Sequence, residues 1–237
     1  MSTTEGFAEL AAQARQLEPG LRELLFAEWS LAARFEHASI ASFNKFSLEL
    51  LAVGAPGELV LAANRASLQE VEHAQACFAV ASAYAGRPVG PGPLPIGVLA
   101  LANVDLAAIT RGAVEEGCVG ETLAAAEAAA AEQRAEPPIL RAVLAKISRE
   151  ERDHAALAFR FVRWACSVGG PRVRDTARDA FGAAMSAYRV EVAPRDACLS
   201  NALLEAHGRL SPASQTALRQ HTLDALLEPV RLELFAL

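Results

Sequence analysis

The chain has 237 residues, enough to bury a sizeable core; 52% are apolar but only 6% aromatic, a balance that favours helix over sheet. A net charge of −6 speaks against general affinity for nucleic acid or an anionic membrane, both of which need a basic face. Four scattered cysteines (Cys77, Cys118, Cys166, Cys198) form no CxxC pair, which excludes a zinc knuckle and implies reduced thiols. With no secretory leader and no uncharged run long enough to span a bilayer, the expectation is a cytoplasmic protein.

A helical N-terminal segment ends at Pro19-Gly20. The first long helix then runs over 21–53, with Trp29, Ala33, Glu36, Ile40, Phe43, Ser47 and Leu50 following one face. Gly54-Ala55-Pro56-Gly57 turns the chain into a second helix over 58–84. Residues 86–97 hold four prolines and four glycines and read as an extended connection. A third helix is predicted over 98–134 and, past Glu136-Pro137-Pro138, a fourth over 139–168. Two helical hairpins joined by one long link are the wiring of a four-helix bundle with a single crossover. The predicted organisation is thus a bundle with its N-terminal helix over 1–170, and a C-terminal helical extension over 171–237. That extension reads as short helices over 172–190, 196–208, 212–227 and 229–236. No chemistry is visible in it; it packs on the bundle or forms an interface.

The chemistry lies in two repeats. Glu70-Val71-Glu72-His73 and Glu151-Arg152-Asp153-His154 each place Glu and His three residues apart, about 60° around a helix and one turn along it, so both side chains reach one point. Glu36 precedes Glu70 by 34 residues and Glu116 precedes Glu151 by 35. In antiparallel hairpins this spacing puts Glu36, Glu70, His73, Glu116, Glu151 and His154 in one slab of the bundle. The same helical faces carry Ala63, Ala66, Cys77 and Val80, and Leu144, Ile147, Ala158 and Phe161. Four carboxylates sunk among apolar side chains repel one another; two divalent cations neutralise them, and two neutral imidazoles complete the ligand set. Oxygen-rich ligands with one nitrogen per metal suit iron, or manganese, better than zinc or copper.

This pattern resembles the ferritin-like di-iron carboxylate superfamily over roughly residues 21–168. The Glu36–Phe43 stretch (EHASIASF) and the Glu116–Thr122 stretch (EGCVGET) resemble a bacterial branch of it. The resemblance implies bridging roles for Glu70 and Glu151 and terminal roles for Glu36 and Glu116, with His73 on one iron and His154 on the other. Many di-iron oxygenases carry Asp before the Glu and Arg before the His of each motif. Here those places hold Gln69 and Glu72, then Glu150 and Asp153, which makes Gln69 and Glu150 the candidates for orienting the imidazoles. Ile147 stands where arylamine N-oxygenases have a third histidine, and no tyrosine falls in register with the ligands.

Glu121 is the rival of Glu116. It is as far from its turn as Glu151 is, but about 140° around an α-helix from Glu116, and it could also be an extra ligand, as rubrerythrin-like sites have. Glu115 pairs with Arg111, His37 is one residue off the ligand face, and Cys118 reads as core. The arginines from Arg160 to Arg178 form a solvated face. His207 and His221 read as solvated or structural. Gly112, Gly117 and Gly120 weaken the third helix, for space beside the metals or for close packing.

The leading expectation is an oxidase or oxygenase that activates dioxygen to oxidise a small molecule, as a monomer or homodimer, with a separate electron donor if one is needed. The same ligand set serves a ferroxidase in iron handling or a rubrerythrin-like peroxidase, and a bundle without metal is the remaining alternative.

Overall fold

The computed structural model describes residues 3–96, 104–193 and 201–235, all of whose regular elements are helical. The helix α1 spans Thr3–Ala14. The helix α2, Pro19–Ala52, starts on a proline with the Glu18 carboxylate accepting from Gly20 N, and α3 spans Gly57–Ala85. Between them Gly54 takes φ +68°, a left-handed turn conformation that L side chains avoid. After the proline-rich connection one rod runs over 106–134: α4 (Leu106–Gly112), a π-helical segment (Ala113–Glu121) and α5 (Thr122–Arg134). The helix α6 is Pro138–Val168. The tail holds α7 (Gly170–Tyr188), α8 (Asn201–Ala206), α9 (Pro212–Thr222), a second π-helical turn (Leu223–Leu227) and α10 (Glu228–Phe235). The four long helical stretches fall where periodicity puts them, except that the third starts at Leu106: Val104 and Asp105, expected inside it, precede it, and the Asp105 carboxylate caps it by accepting from Ala107 N. The expected helical stretches at 98–103 and 196–200, and Cys198, lie outside the described residues.

The apolar core is divided. One half gathers Leu25, Trp29, Tyr84, Ala131, Leu140 and Leu144; the other gathers Leu50, Ala63, Val119, Leu123, Phe161 and Phe181. The N-terminal part of α2 shares a half with the C-terminal part of α5, so α2 and the rod run antiparallel. Each long helix passes from one half to the other, and α3 and α6 cross between them at a glutamate–histidine pair. Along α3, Ala63 and Ala66 belong to the second half and Cys77, Val80 and Tyr84 to the first, with Glu70 and His73 between. On α6, Glu151 and His154 separate Ile147 from Leu157 in the same way. A polar slab thus cuts the bundle across its middle.

The tail closes one end and one side. The helix α7 packs on α4, the π segment and α6. At the other end Trp29 Nε1 donates to the His207 carbonyl (3.2 Å), Tyr84 OH bonds His207 Nδ1 (2.8 Å), and Glu136 N donates to Ala206 O (2.8 Å). His207 is therefore structural. The helix α2 packs on α3 and barely touches the rod, and none of its residues from Arg34 to Phe46 is fully buried. The gap it leaves is a cavity of about 930 Å³ whose floor is the polar slab.

Candidate metal centre

Five of the expected residues converge. Glu70, His73, Glu151 and His154 are at most 3% exposed, and Glu36 joins them from α2. Both histidines turn Nδ1 into the slab. His73 Nδ1 lies 3.3 Å from Glu151 Oε1, 3.5 Å from Glu36 Oε2 and 3.8 Å from Glu70 Oε2. His154 Nδ1 lies 3.1 Å from Glu70 Oε1 and 3.1 Å from Glu151 Oε2. Glu70 and Glu151 thus each offer one oxygen to one histidine and the other oxygen to its counterpart. The imidazole centroids are 5.9 Å apart. Two overlapping groups result: Glu36, Glu70, His73 and Glu151, then Glu70, Glu121, Glu151 and His154, each with ligand atoms within 4.8 Å of one another.

Glu121, the rival of Glu116, is the sixth residue that the structure brings into these groups. Glu116 belongs to neither group. It lines the cavity near Lys45, Glu49 and Glu115, where burial, ahead of those neighbours, raises its carboxyl above the ordinary value. The cause is the winding of residues 113–121. A π-helix bonds i to i+5, so it inserts residues that α periodicity does not count and rotates everything after it. Glu121 is brought to the slab from a position that an α-helix turns away. Its equal distance from the turn, shared with Glu151, was the signal that identified it.

The outer nitrogens are held differently. His73 Nε2 bonds Glu150 Oε2 at 2.8 Å, and Glu150 in turn takes Lys146 Nζ at 2.5 Å and Arg149 Nη2 at 3.3 Å. His154 Nε2 bonds Gln69 Oε1 at 2.9 Å. Each ring can donate outward from Nε2 and keep the Nδ1 lone pair for the slab, the arrangement that metal-ligating histidines need. Gln69 and Glu150 therefore stand where the sequence placed them.

The electrostatics ask for positive charge. Burial, with the charges of Glu151 and Glu36 adding, pushes the Glu70 carboxyl up to about 8 against the His154 hydrogen bond. Burial and Glu151 raise Glu121 well above the ordinary range. Glu151 goes the other way: burial raises it, but the neighbouring His154, His73 and Glu121 hold it below the usual carboxylate range. Burial lowers both histidines, yet Glu151 and Glu36 bring His73 up to about 10, while Glu151 and Glu70 bring His154 up to about 9. The slab thus favours added positive charge: both imidazoles hold their protons more tightly than usual, and so do the carboxyls of Glu70 and Glu121. Divalent cations would supply the same kind of charge.

Two buried atoms at the centre of the slab, Glu70 Oε2 and His73 Nδ1, have no hydrogen-bond partner at all. Orphaned ligand atoms that converge are expensive in an apolar interior and fit a cation between them. The donor set, four carboxylates with one imidazole per group, suits iron or manganese.

The surroundings resolve two other expectations. A Cβ added at Gly117 would stand 2.4 Å from Ala158 Cβ, so this glycine serves close packing of the π segment on α6. At Gly112 an added Cβ meets nothing within 4 Å, and at Gly120 nothing closer than 3.4 Å. Tyr188, which sequence spacing could not place, reaches the cavity from α7; its hydroxyl would lie 3.8 Å from a Cβ at Gly120. Cys118 is core, and Arg111 pairs with Glu115 on the surface at 3.6 Å. Cys77, Cys118 and Cys166 are free thiols. No described helix is long and apolar enough to cross a membrane.

The fold and site together define an all-helical chain with a buried carboxylate–histidine slab beside an internal cavity. Set against known proteins, the chain matches no family model, no curated protein and no solved structure.

Proposed function

We propose that this chain is a ferritin-like di-metal carboxylate protein, with two iron ions (manganese as the alternative), that acts on dioxygen as an oxidase or oxygenase toward a small molecule. The observation that carries the reading is the crossed pairing of Glu70 and Glu151 with both histidines, the relation two bridging carboxylates have to a pair of metals. Glu36 and His73 would complete one site, Glu121 and His154 the other. Iron held there supplies the redox chemistry toward dioxygen; everything else is the chain's own work.

Glu150 and Gln69 fix the two imidazoles in orientation and tautomer. Phe43, 4.9 Å from His154 between ring centroids, and the alanine face of α5 make the cavity walls beside the slab apolar. The cavity favours an enzyme over a ferroxidase feeding a store, because about 930 Å³ is space for an organic molecule and an ion needs far less. The test is anaerobic loading with ferrous iron, with bound metal counted, followed by exposure to dioxygen with oxygen uptake and absorption recorded. Two irons per chain and rapid oxygen consumption are expected. Absence of tight metal binding overturns the reading as a whole, and two irons inert to oxygen overturn the oxidase.

A further inference from the structure

The cavity carries an unbalanced charge. Among the described residues three cations line it, and each has a carboxylate of its own. Lys45 Nζ stands 2.6 Å from Glu49 Oε1, Arg219 Nε 2.6 Å from Glu127 Oε1, and Arg209 Nε 3.8 Å from Glu28 Oε2. None of the three is left over to hold an anionic ligand. Of the carboxylates in the lining, Glu36, Glu121 and Glu151 belong to the slab, and Glu49 and Glu127 are the partners just named. Glu116 is the remainder. Among the described residues it makes no ion pair and no hydrogen bond, since the nearby Lys45 is committed to Glu49. It is exposed and lines the cavity, so a ligand atom can reach it.

The π winding that brings Glu121 to the slab also fixes where Glu116 stands. Residues i and i+5 are one turn apart in such a helix, so Glu116 lies one turn before Glu121, roughly 7 Å along the axis, and lines the same cavity. From α2 the cavity is lined there by Lys45 and Glu49 and, nearer the slab, by Phe46 and Phe43. Phe46 meets Phe161 edge-on at 5.1 Å between ring centroids, and Phe43 lies against His154. Leu157 and Ala158 line the space from α6. A molecule with its head at Glu116 and its body toward the slab therefore lays that body on aromatic and aliphatic carbon. Gly112, one α-helical turn before Glu116, leaves room for the head: a Cβ added there meets nothing within 4 Å.

We propose that this cavity binds a primary alkylamine in its ammonium form, with the ammonium on Glu116 and the hydrocarbon body along Phe46 and Phe43 toward the slab. An ammonium brings three donors to a carboxylate that has none of its own, in a charge-assisted contact. The phenylalanine rings are matched by methylenes and also attract a cation. A chain of a few carbons spans the distance from Glu116 to the slab. The inference rests on the proposed function in naming its substrate class, but the binding itself requires no metal.

The test uses the full chain, metal-free and loaded anaerobically with ferrous iron, with octylamine, octanol and octanoate as probes at neutral pH and binding followed by calorimetry. Octylamine is expected to bind most tightly in both forms of the protein, and octanoate least. Glu116→Gln should weaken octylamine about tenfold or more and leave octanol unchanged. Glu116→Lys should reverse the order and favour octanoate over octylamine, which a merely structural role for this side chain does not predict. Ser42→Phe, at an exposed position of the lining on α2 between Glu36 and Lys45, should weaken octylamine and octanol alike. Equal affinity for octylamine and octanol in the wild type, or no effect of Glu116→Gln, overturns the amine assignment. Octylamine binding untouched by Ser42→Phe overturns the placement of the body, and no binding of any probe overturns the site. Metal is counted on the same samples. Loss of a metal equivalent in Glu116→Gln would give this carboxylate to a metal and overturn the amine assignment. A chain that binds octylamine but no iron sinks the proposed function and leaves the amine site standing.

Discussion

His73 leans on a carboxylate and His154 on an amide: Glu150 Oε2 stands 2.8 Å from the first ring and Gln69 Oε1 stands 2.9 Å from the second. Burial alone would raise the Glu150 carboxyl, but Lys146 and His73 outweigh it and hold the group below the ordinary value, so it is an anion in the pH range of interest. An anionic acceptor makes an imidazole a stronger donor to metal than a neutral one does. The two metal positions are thus unequal, and the His73 side is expected to fill first. Glu150→Gln should lower affinity at one position by about 10–100-fold and spare the other. Titration of ferrous or manganous ion against a chelator checks this. A uniform loss at both positions, or none, would show that the asymmetry has no thermodynamic weight.

The second prediction separates Glu121 from Glu116. Glu121→Ala removes a member of the His154 group and should reduce bound metal from two equivalents to about one. Glu116→Ala should keep both equivalents. The reverse result would mean that residues 113–121 wind as an α-helix when metal is bound.

Much of this arrangement was legible in the sequence because it is periodic. The four long helices announce themselves by their apolar stripes and their Gly and Pro stops. Glu70, His73, Glu151 and His154 follow from an i, i+3 spacing repeated on two of them. Glu36 follows from hairpin symmetry. Glu116 was drawn in by that same symmetry, because counting in α-helical turns assumes the winding that the π segment breaks. Its three glycines, Gly112, Gly117 and Gly120, weaken the α ladder there, but glycine content alone does not distinguish a π turn from a close contact. Arg209 and Tyr188 were out of reach for a different reason. They come from a tail with no repeat, and only three-dimensional packing brings them to the cavity.

Those glycines give a third prediction. Gly117→Ala pushes a Cβ to 2.4 Å from Ala158 Cβ, an atom fixed to the α6 backbone that has nowhere to retreat. The substitution should destabilise the protein by about 1–3 kcal/mol. Gly112→Ala enters open space and should stabilise the rod by up to about 1 kcal/mol, as alanine is the better helix former. Urea unfolding midpoints of the two variants should move in opposite directions. Movement in the same direction would refute the packing assigned to Gly117.

Metal loading should also release protons. Raised histidines and raised carboxyls on Glu70 and Glu121 mean that the metal-free slab holds protons that cations must displace. Affinity should therefore fall steeply as pH drops, and loading in weak buffer should acidify the solution by more than one proton per pair of divalent ions. An indicator dye in an anaerobic stopped-flow cell reads the number directly. A release of one proton or none would mean that the slab does not exchange protons for metal.

The last prediction concerns the tie between tail and bundle. Burial lowers the His207 imidazole below its ordinary 6.5, against a smaller opposing effect of Glu136. Burial also raises the Tyr84 phenol, so Tyr84 stays protonated and donates to a neutral Nδ1. A histidine whose folded value is depressed favours its neutral form in the fold. Its stabilising contribution is present above the unfolded value and is lost as pH falls below about 6.5 toward the folded one. The wild type should therefore lose more stability between pH 7 and 5 than His207→Asn, which keeps the backbone carbonyl for Trp29 but carries no titrating ring. Comparing the two slopes cancels what the metal-free slab contributes to both. Parallel slopes would mean that His207 keeps the same proton affinity folded and unfolded, and that its bond to Tyr84 does not depend on the neutral ring.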